Sequence, residues 1–215
     1  MLNEQVIAYC ERTDFTYWSE PVNALTNASF LIAAALVWRQ TARLPLARAL
    51  AVVLVVIGVG SFLWHTHATG WAGLADVVPI LVFILLYLFA ATRDFLNLPA
   101  IWALGAVLLF LPYAVAFSWA ASQVMPELGA NAAYFSVAAL IAAYGLRLRQ
   151  TATGQGLMIG AGLLCVSLGF RMADGAVCAI FPIGSHFMWH ILNGVMLGWM
   201  IHVYCRHMRA APPPA

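Results

Sequence analysis

Charged side chains are scarce in this chain of 215 residues: only 8% are charged, and lysine is absent. Soluble domains carry about 25% charged residues, so the composition of this chain is not that of a protein whose surface faces water. The net charge is only +2, and no basic run or aromatic RNA-binding motif is present, which excludes a nucleic-acid binder. The N-terminal stretch also lacks the basic region, apolar core and cleavage site of a signal peptide, so we expect none.

Long hydrophobic runs are abundant instead, since 64% of the residues are hydrophobic and the mean hydropathy is +0.89. A membrane-spanning helix needs about 20 apolar residues. Candidate spans cover roughly residues 22–38, 46–64, 72–91, 99–119, 131–146, 156–173 and 186–205. The pattern predicts an all-α integral membrane protein, a bundle of seven transmembrane helices. It forms one domain at residues 1–209, with a disordered tail at 210–215.

The arginines predict the orientation of this bundle. With seven spans, Arg12 and Arg171 fall on one side and the other eight arginines fall on the opposite side. Because basic residues collect in cytoplasmic loops, we expect an extracytoplasmic N-terminal segment, residues 1–21, and a cytoplasmic C-terminus. In a bacterium this membrane would be the inner membrane. All acidic residues except Asp94 lie on or near the outer side, where a cation site would explain them.

Histidines at two helix ends predict a metal site near the outer membrane face. His186 and His190 are four residues apart, so one helix face carries both imidazoles. His65, at the outer end of the second span, completes a set of three. Three imidazoles with one open position is a catalytic zinc arrangement. A single histidine at a helix end is more often interfacial or hydrogen-bonded to backbone, and we assign that role to His202 and His207.

Two polar residues accompany the histidines in the predicted bundle. Ser61 shares a helix face with His65, and Asp76 lies at the same level near the start of the third span. A carboxylate beside zinc could move the proton, and a hydroxyl could stabilise an oxyanion on an attacked carbonyl. The alternatives are that Asp76 only complements the helix dipole and that Ser61 is a small helix-packing residue.

The segment before the first span is rich in side-chain oxygens. Glu11, Thr13, Asp14 and Glu20 lie within ten positions of one another. Hard oxygen ligands at this density could hold calcium, although the pattern is not that of an EF-hand. The alternative is a solvated polar linker.

Three further pairs could support the site from a distance. Asn23 and Asn27, one turn apart, could hydrogen-bond across the bundle or orient a zinc ligand. Arg171 and Asp174, three residues apart, are expected to pair with each other. The two outer cysteines could form a disulfide in an oxidising compartment, which the sequence allows without requiring. They are Cys10 and Cys178.

Taken together, these residues resemble the alkaline ceramidase family, which belongs to a superfamily of seven-span membrane hydrolases that includes the adiponectin-type receptors. The motifs are CER at 10–12, EPVNALTN at 20–27, SFLWH at 61–65, Asp76 followed by VVP, RMADGAVC at 171–178 and HFMWHILNG at 186–194. The resemblance covers nearly the whole chain, and the order and spacing of the motifs are more specific than any one of them.

The resemblance implies a zinc amidase that cleaves ceramide, or a related N-acyl lipid taken from the bilayer, to a sphingoid base and a fatty acid. It implies zinc ligation by His65, His186 and His190, roles for Ser61 and Asp76 beside the metal, and a disulfide between Cys10 and Cys178. In the calcium segment Glu11 and Glu20 match the family. Ala8 and Thr13 depart from it, because the family has an aspartate and an asparagine there.

Two other classes of protein compete with this interpretation. One is a receptor-like or structural seven-helix protein in which the same metal only braces the bundle. A structural site needs no base and no open coordination position, so Asp76 separates this class from a hydrolase. The other is a transporter or haem protein with bis-histidine ligation, which a haem absorption band would reveal.

Overall fold

A computed structural model describes residues 2–210, and their regular structure is helical, as predicted. The α-helices are α1 (Pro21–Thr26), α2 (Ala28–Trp38), α3 (Pro45–His67), α4 (Gly70–Ala90), α5 (Ala100–Val124), α6 (Ala132–Arg147), α7 (Ala152–Val177) and α8 (His186–Ala210). A 3-10 helix at Arg39–Thr41, a π-helical turn at Ala91–Phe95 and a 3-10 helix at Pro126–Asn131 join or extend them. Of the predicted tail, Ala210 ends α8 and the remainder lies outside the described residues.

Six helical stretches within residues 2–210 are long and apolar enough to cross a membrane, which fits a multi-pass integral membrane protein. They are Pro21–Thr41, Pro45–His67, Gly70–Phe95, Ala100–Val124, Pro126–Arg147 and Ala152–Val177. These correspond in order to the first six predicted spans. Helix α8 has 25 residues but is not among the six, because polar residues such as His190, Asn193 and His202 lower its mean hydropathy.

Local sequence explains where several of these helices begin and end. Helix α3 begins at Pro45, whose fixed φ suits the first helical turn. It ends at His67, before Ala68 with a left-handed φ of 48°. Helix α7 begins after Thr151, whose side chain accepts a hydrogen bond from Gly154 N at 3.0 Å, a common N-cap contact. The end of α3 matters most here, because it places His65 in the last turn of that helix.

Close glycine contacts draw the helices together around the histidines. A Cβ on Gly60 of α3 would lie 2.0 Å from the backbone oxygen of Ala75 in α4. A Cβ on Gly194 of α8 would lie 2.6 Å from Ser29 Oγ in α2. Small residues allow membrane helices to approach closely. Both contacts lie within one or two turns of a histidine, so the site depends on this close packing.

The N-terminal segment covers the turn between α3 and α4. Val6 N donates to Ala68 O at 2.8 Å, and Trp71 N donates to Leu2 O at 2.9 Å. A single β-bridge joins Gln5 to Thr69 in the same place. The chain that precedes α1 therefore lies across the end of the bundle at which His65 is located.

Candidate metal centre

Three buried histidines meet at this end of the bundle. His65 is in the last turn of α3, and His186 and His190 are in the first turns of α8. Each is 1% exposed, and one potential ligand atom from each lies within 4.8 Å of the other two. Between residues 2 and 210, no second group of three potential ligands is as close. The structure thus brings the three predicted ligands together, and they could hold a metal ion.

Each of these histidines has a buried ring nitrogen without a hydrogen-bond partner. The atoms are Nε2 of His65, Nδ1 of His186 and Nε2 of His190. Buried polar groups are normally hydrogen-bonded, because leaving one unpaired costs about 1–3 kcal/mol. Three such nitrogens in one small region would be expensive without a shared partner. A metal ion that takes imidazole ligands would give all three a partner, so the donor set fits zinc.

Glu20 sets the tautomer of His65. Its Oε2 lies 2.6 Å from His65 Nδ1, and because an ionised carboxylate only accepts hydrogen bonds, Nδ1 carries the proton. Nε2 therefore keeps its lone pair. Burial raises the pKa of Glu20, but hydrogen bonds from His65, Arg12 and Asn23 outweigh that effect and lower the pKa below its ordinary value. A carboxylate behind a histidine is the usual way to orient a metal-binding imidazole.

Thr26 sets the tautomer of His190 in a similar way. Its Oγ1 lies 3.0 Å from His190 Nδ1. The hydroxyl proton of Thr26 is directed to the backbone oxygens of Val22 and Asn23, at 2.8 and 3.0 Å. The oxygen of Thr26 therefore accepts from Nδ1, and Nε2 of His190 keeps its lone pair. Ser29 Oγ also donates to His190 O at 2.8 Å, which ties α8 to α2.

Asp174 and Tyr9 hold His186 in place. Oδ1 of Asp174 accepts from the backbone N–H groups of Ser185 and His186, at 2.8 and 2.9 Å, and so caps the start of α8. Its Oδ2 accepts from Cys10 N at 3.0 Å. The ring of Tyr9 stacks on His186, with centroids 3.5 Å apart and an interplanar angle of 16°. Residues of α7 and of the N-terminal segment thus hold the backbone and the ring of His186.

Cys10 and Cys178 form a disulfide, with their Cα atoms 5.4 Å apart. The bond joins the N-terminal segment to the residue that follows α7. It stands next to the Asp174 contact with Cys10 N, so the covalent link and this hydrogen bond hold the same two segments together.

The expected pairing of Arg171 with Asp174 is wrong. Asp174 is occupied by backbone N–H groups at the start of α8, and Arg171 Nε donates to Asn131 Oδ1 at 2.9 Å. The guanidinium of Arg171 lies over the rings of Trp189 and Tyr134, 5.0 and 5.4 Å from their centroids. At the start of α8 Asp174 satisfies two backbone N–H groups that would otherwise lack partners, which explains this choice.

Ser61 and Asp76 lie near His65. Ser61 is buried, at 3% exposure, and Asp76 is partly buried. The carboxyl group of Asp76 interacts with the Ser61 hydroxyl and lies near His65 and the charge of Arg171. Asp76 is not part of the group of close ligand atoms. A carboxyl group and a hydroxyl group are therefore available next to a site that could hold a metal ion.

The predicted calcium ligands are engaged by protein groups. The two oxygens of Glu11 accept from the N–H groups of Val22 and Asn23, at 2.7 and 2.8 Å, which caps α1. Burial raises the pKa of Glu11 above its ordinary value, opposed by these backbone hydrogen bonds. Oδ1 of Asp14 accepts from the N–H and hydroxyl of Thr16, at 2.9 and 2.6 Å, and these hydrogen bonds lower the pKa of Asp14.

The remaining two predicted calcium ligands also have other contacts. Thr13 N donates to Ser19 Oγ at 3.1 Å. Glu20 is bonded to His65 and to the guanidinium of Arg12. Within the described residues, the carboxylates of this segment do not form a group of close potential ligands. Calcium binding stays a prediction.

Of the two predicted supporting asparagines, Asn23 lies closer to the site. Its Nδ2 donates to Glu20 Oε2 at 3.1 Å, so it contacts the carboxylate that orients His65. Asn27 Nδ2 donates to Asn23 O at 2.9 Å, inside its own helical turn. The residue between them, Thr26, contacts a histidine directly, although it was not singled out in the sequence.

An apolar cavity lies inside the bundle, and two of its lining residues are next to His190. Phe30 and Trp189 line it, and the ring centroid of Phe30 lies 6.5 Å from that of His190. The lining continues along α8 to Met200, eleven residues beyond Trp189, which is about 16 Å of helix. The cavity is therefore elongated, and almost all of its walls are aliphatic or aromatic.

Compared with known proteins, the chain matches no protein-family model and no curated protein sequence. The fold and the site define the class of protein: a helical multi-pass membrane protein with three buried histidines that could hold a metal ion.

Proposed function

We propose that this protein is a zinc-dependent intramembrane hydrolase that cleaves the amide bond of ceramide or a related N-acyl lipid. The products would be a sphingoid base, or another amine, and a fatty acid. The observation that carries the proposal is the convergence of three buried imidazoles with unpartnered ring nitrogens. The resemblance to alkaline ceramidases points to the same chemistry.

Zinc is a metal that suits this set of ligands. Neutral imidazoles bind zinc well, and three protein ligands leave a fourth position open, as catalytic zinc sites require. A zinc ion held there would act as a Lewis acid and make hydroxide available near neutral pH. Glu20 and Thr26 support this assignment, because each keeps a lone pair on the opposite nitrogen of its histidine.

Asp76 and Ser61 supply the proton transfer and the charge stabilisation. Asp76 would accept a proton from the attacking water and deliver it to the nitrogen of the leaving amine. Ser61 would donate a hydrogen bond to the negative charge that develops on the amide oxygen. Their closeness to each other and to His65 supports these roles.

The apolar cavity gives the proposed substrate a binding site. An acyl chain would occupy the space between Phe30, Trp189 and Met200, with the amide bond at the end that lies nearest His190. The cavity has few polar groups, so it favours a hydrocarbon chain over a polar ligand. The lipid would enter from the bilayer, which surrounds the helices.

We also propose that α8 is a seventh span, with the N-terminal segment outside and the C-terminus in the cytoplasm. Its 25 residues make a helix of about 38 Å, longer than the roughly 30 Å hydrocarbon core. It packs against α2 and α7, which cover its polar residues. A C-terminal alkaline phosphatase fusion should be inactive in bacterial cells, and a green fluorescent protein fusion should fluoresce. The reverse pattern contradicts this topology.

The test of the proposed function combines metal analysis with a substrate panel. Purified protein should contain about one zinc per chain and release fatty acid from at least one N-acyl sphingoid or other lipid amide. A chelator should abolish the release, and added zinc should restore it. Bound zinc without hydrolysis of any lipid amide would instead favour the receptor-like or structural protein, and absence of zinc from active protein would overturn the assignment.

A further inference from the structure

Arg12 is a buried cation at the same end of the bundle. Arg12 is only 2% exposed. Its side chain contacts the backbone oxygen of His65 rather than solvent. Burying a charge is expensive unless the charge is paired and hydrogen-bonded. The contacts of Arg12 should therefore account for this cost and indicate what the residue does.

All three nitrogens of the Arg12 guanidinium donate hydrogen bonds. Nε donates to Glu20 Oε1, Nη1 donates to the backbone oxygens of Asp14 and Thr16 at 3.0 and 3.3 Å, and Nη2 donates to His65 O at 2.8 Å. One planar group thus holds the carboxylate that orients His65 and also the main chain of His65 itself. The fork of an arginine side chain suits this bridging, because its donors point in fixed directions.

The same contacts bear on the calcium ion that the resemblance implies for this segment. Calcium takes six to eight oxygen ligands. Here both oxygens of Glu11 face backbone N–H groups, and both oxygens of Glu20 face Arg12, His65 or Asn23. Carbonyl and carboxylate oxygens that could surround a cation instead surround the guanidinium. The residues present do not fit a calcium ion.

We infer that Arg12 is an internal cation that replaces calcium in this segment and positions His65 through Glu20. A guanidinium carries a permanent positive charge and cannot be removed by a chelator. The inference rests on the proposed function only in that His65 must hold a metal; it does not depend on the substrate. It makes metal binding at the histidines independent of calcium and dependent on residue 12.

The test uses Arg12→Gln, Arg12→Lys and a matched control, Arg149→Gln, an exposed arginine at the opposite end of the bundle. Zinc affinity is measured on purified full-length protein by competition with a chelator, with and without added calcium. Supporting groups of metal ligands typically contribute 10–100-fold in affinity. We expect Arg12→Gln to lose roughly that factor, Arg12→Lys to recover part of it, and Arg149→Gln to match the parent protein.

Chemical rescue separates positioning from simple structural support. Arg12→Ala should regain zinc affinity when free guanidinium ion is added at millimolar concentration, because the ion can enter the vacated position; Arg149→Ala should not respond. Unchanged zinc affinity in Arg12→Gln, or calcium-dependent zinc binding in the parent protein, would overturn the inference. If Arg12→Gln does not fold, the comparison of Arg12→Lys with Arg12→Ala plus guanidinium carries the test. Failure of lipid hydrolysis alone would affect only the proposed function.

Discussion

The two ends of the bundle carry the same types of residue but use them differently. At the histidine end, defined by His65, His186 and His190, each ring keeps one buried nitrogen without a partner. At the opposite end, both ring nitrogens of His207 have partners: Nδ1 contacts Thr153 Oγ1 at 2.9 Å, and Nε2 contacts Asp94 O at 3.1 Å. Unpaired buried nitrogens, rather than histidines as such, distinguish a candidate ligand site from a structural hydrogen-bond network.

The carboxyl groups at the two ends of the bundle also differ in how many of their hydrogen-bond and ion-pair positions are occupied. Asp94 accepts from Arg93 Nε at 2.7 Å and from Tyr204 OH at 2.6 Å, so its charge is neutralised and its oxygens are occupied. Asp76 interacts with the Ser61 hydroxyl and lies near His65, and it has no salt-bridge partner within residues 2–210. A carboxyl group that must exchange a proton needs this freedom. The comparison therefore predicts matched variants with opposite outcomes.

The largest effect should come from removing a histidine. His190→Ala deletes one of three converging imidazoles, and we expect zinc content to fall to background and lipid amide hydrolysis with it. His207→Ala is the matched control and should keep full zinc content, because its ring nitrogens are engaged by Thr153 and Asp94. Elemental analysis of both purified proteins tests this. Loss of zinc from His207→Ala would erase the distinction between the two ends.

The next effect concerns the two aspartates. Asp76→Asn should lower the hydrolysis rate by about 10²–10⁴, the usual contribution of a general acid–base group, while zinc stays bound. Asp94→Asn should hydrolyse the substrate at the parent rate, since it lies at the other end of the bundle. Measuring rate and zinc content on the same samples separates chemistry from metal loss. A fully active Asp76→Asn protein would remove the proposed proton carrier.

A smaller effect is expected from the two threonines that contact histidines. Thr26→Val removes the oxygen that accepts from His190 Nδ1, and we expect zinc affinity to drop by about 10-fold, the lower range for supporting groups. Thr153→Val makes the same change beside His207 and should leave zinc affinity unchanged. Chelator competition measures both. Equal affinities for the two variants would mean that Thr26 does not orient the ligand.

The smallest effect should be on stability alone. Tyr204→Phe removes the hydroxyl that donates to Asp94 Oδ2, and a hydrogen bond to a charged group contributes about 1.5–3 kcal/mol to folding. We expect a lower unfolding temperature in detergent with unchanged zinc content and activity. A loss of activity that matches the loss of stability would indicate that the opposite end of the bundle also controls the site.

The first six predicted spans correspond to helices because a membrane helix is specified by the residues of its own segment. A run of apolar residues between charged or turn-forming residues, such as 46–64, suffices to specify a membrane helix. The boundaries moved outwards in the structure, for example to Pro45–His67, because a helix continues past its apolar core until the backbone leaves the helical conformation, as it does at Ala68 with a φ of 48°. The polar seventh run also forms a helix, α8, but its hydropathy alone does not place it in a membrane.

The candidate site was predictable only in part. The spacing of His186 and His190 places both on one helix face, and the order of the spans brings His65 to the same end. No comparable local signal identifies Asp174, which caps α8 from the preceding helix, or Thr26, which contacts a histidine 164 positions away. In the sequence, Arg12 served only to predict the orientation of the bundle in the membrane. In the structure, it hydrogen-bonds to the backbone oxygen of His65.

The sequence by itself determined that the chain is helical, apolar enough for a membrane, and equipped with histidines at two helix ends. These properties depend on residue type and on spacing within one helix, so they can be predicted without knowing the fold. Only the tertiary structure decided which oxygens face Arg12, which ring nitrogens lie unpaired, and that Glu20 contacts a histidine. Those outcomes depend on the close approach of segments far apart in the chain, and there each buried polar group takes the nearest partner that packing allows.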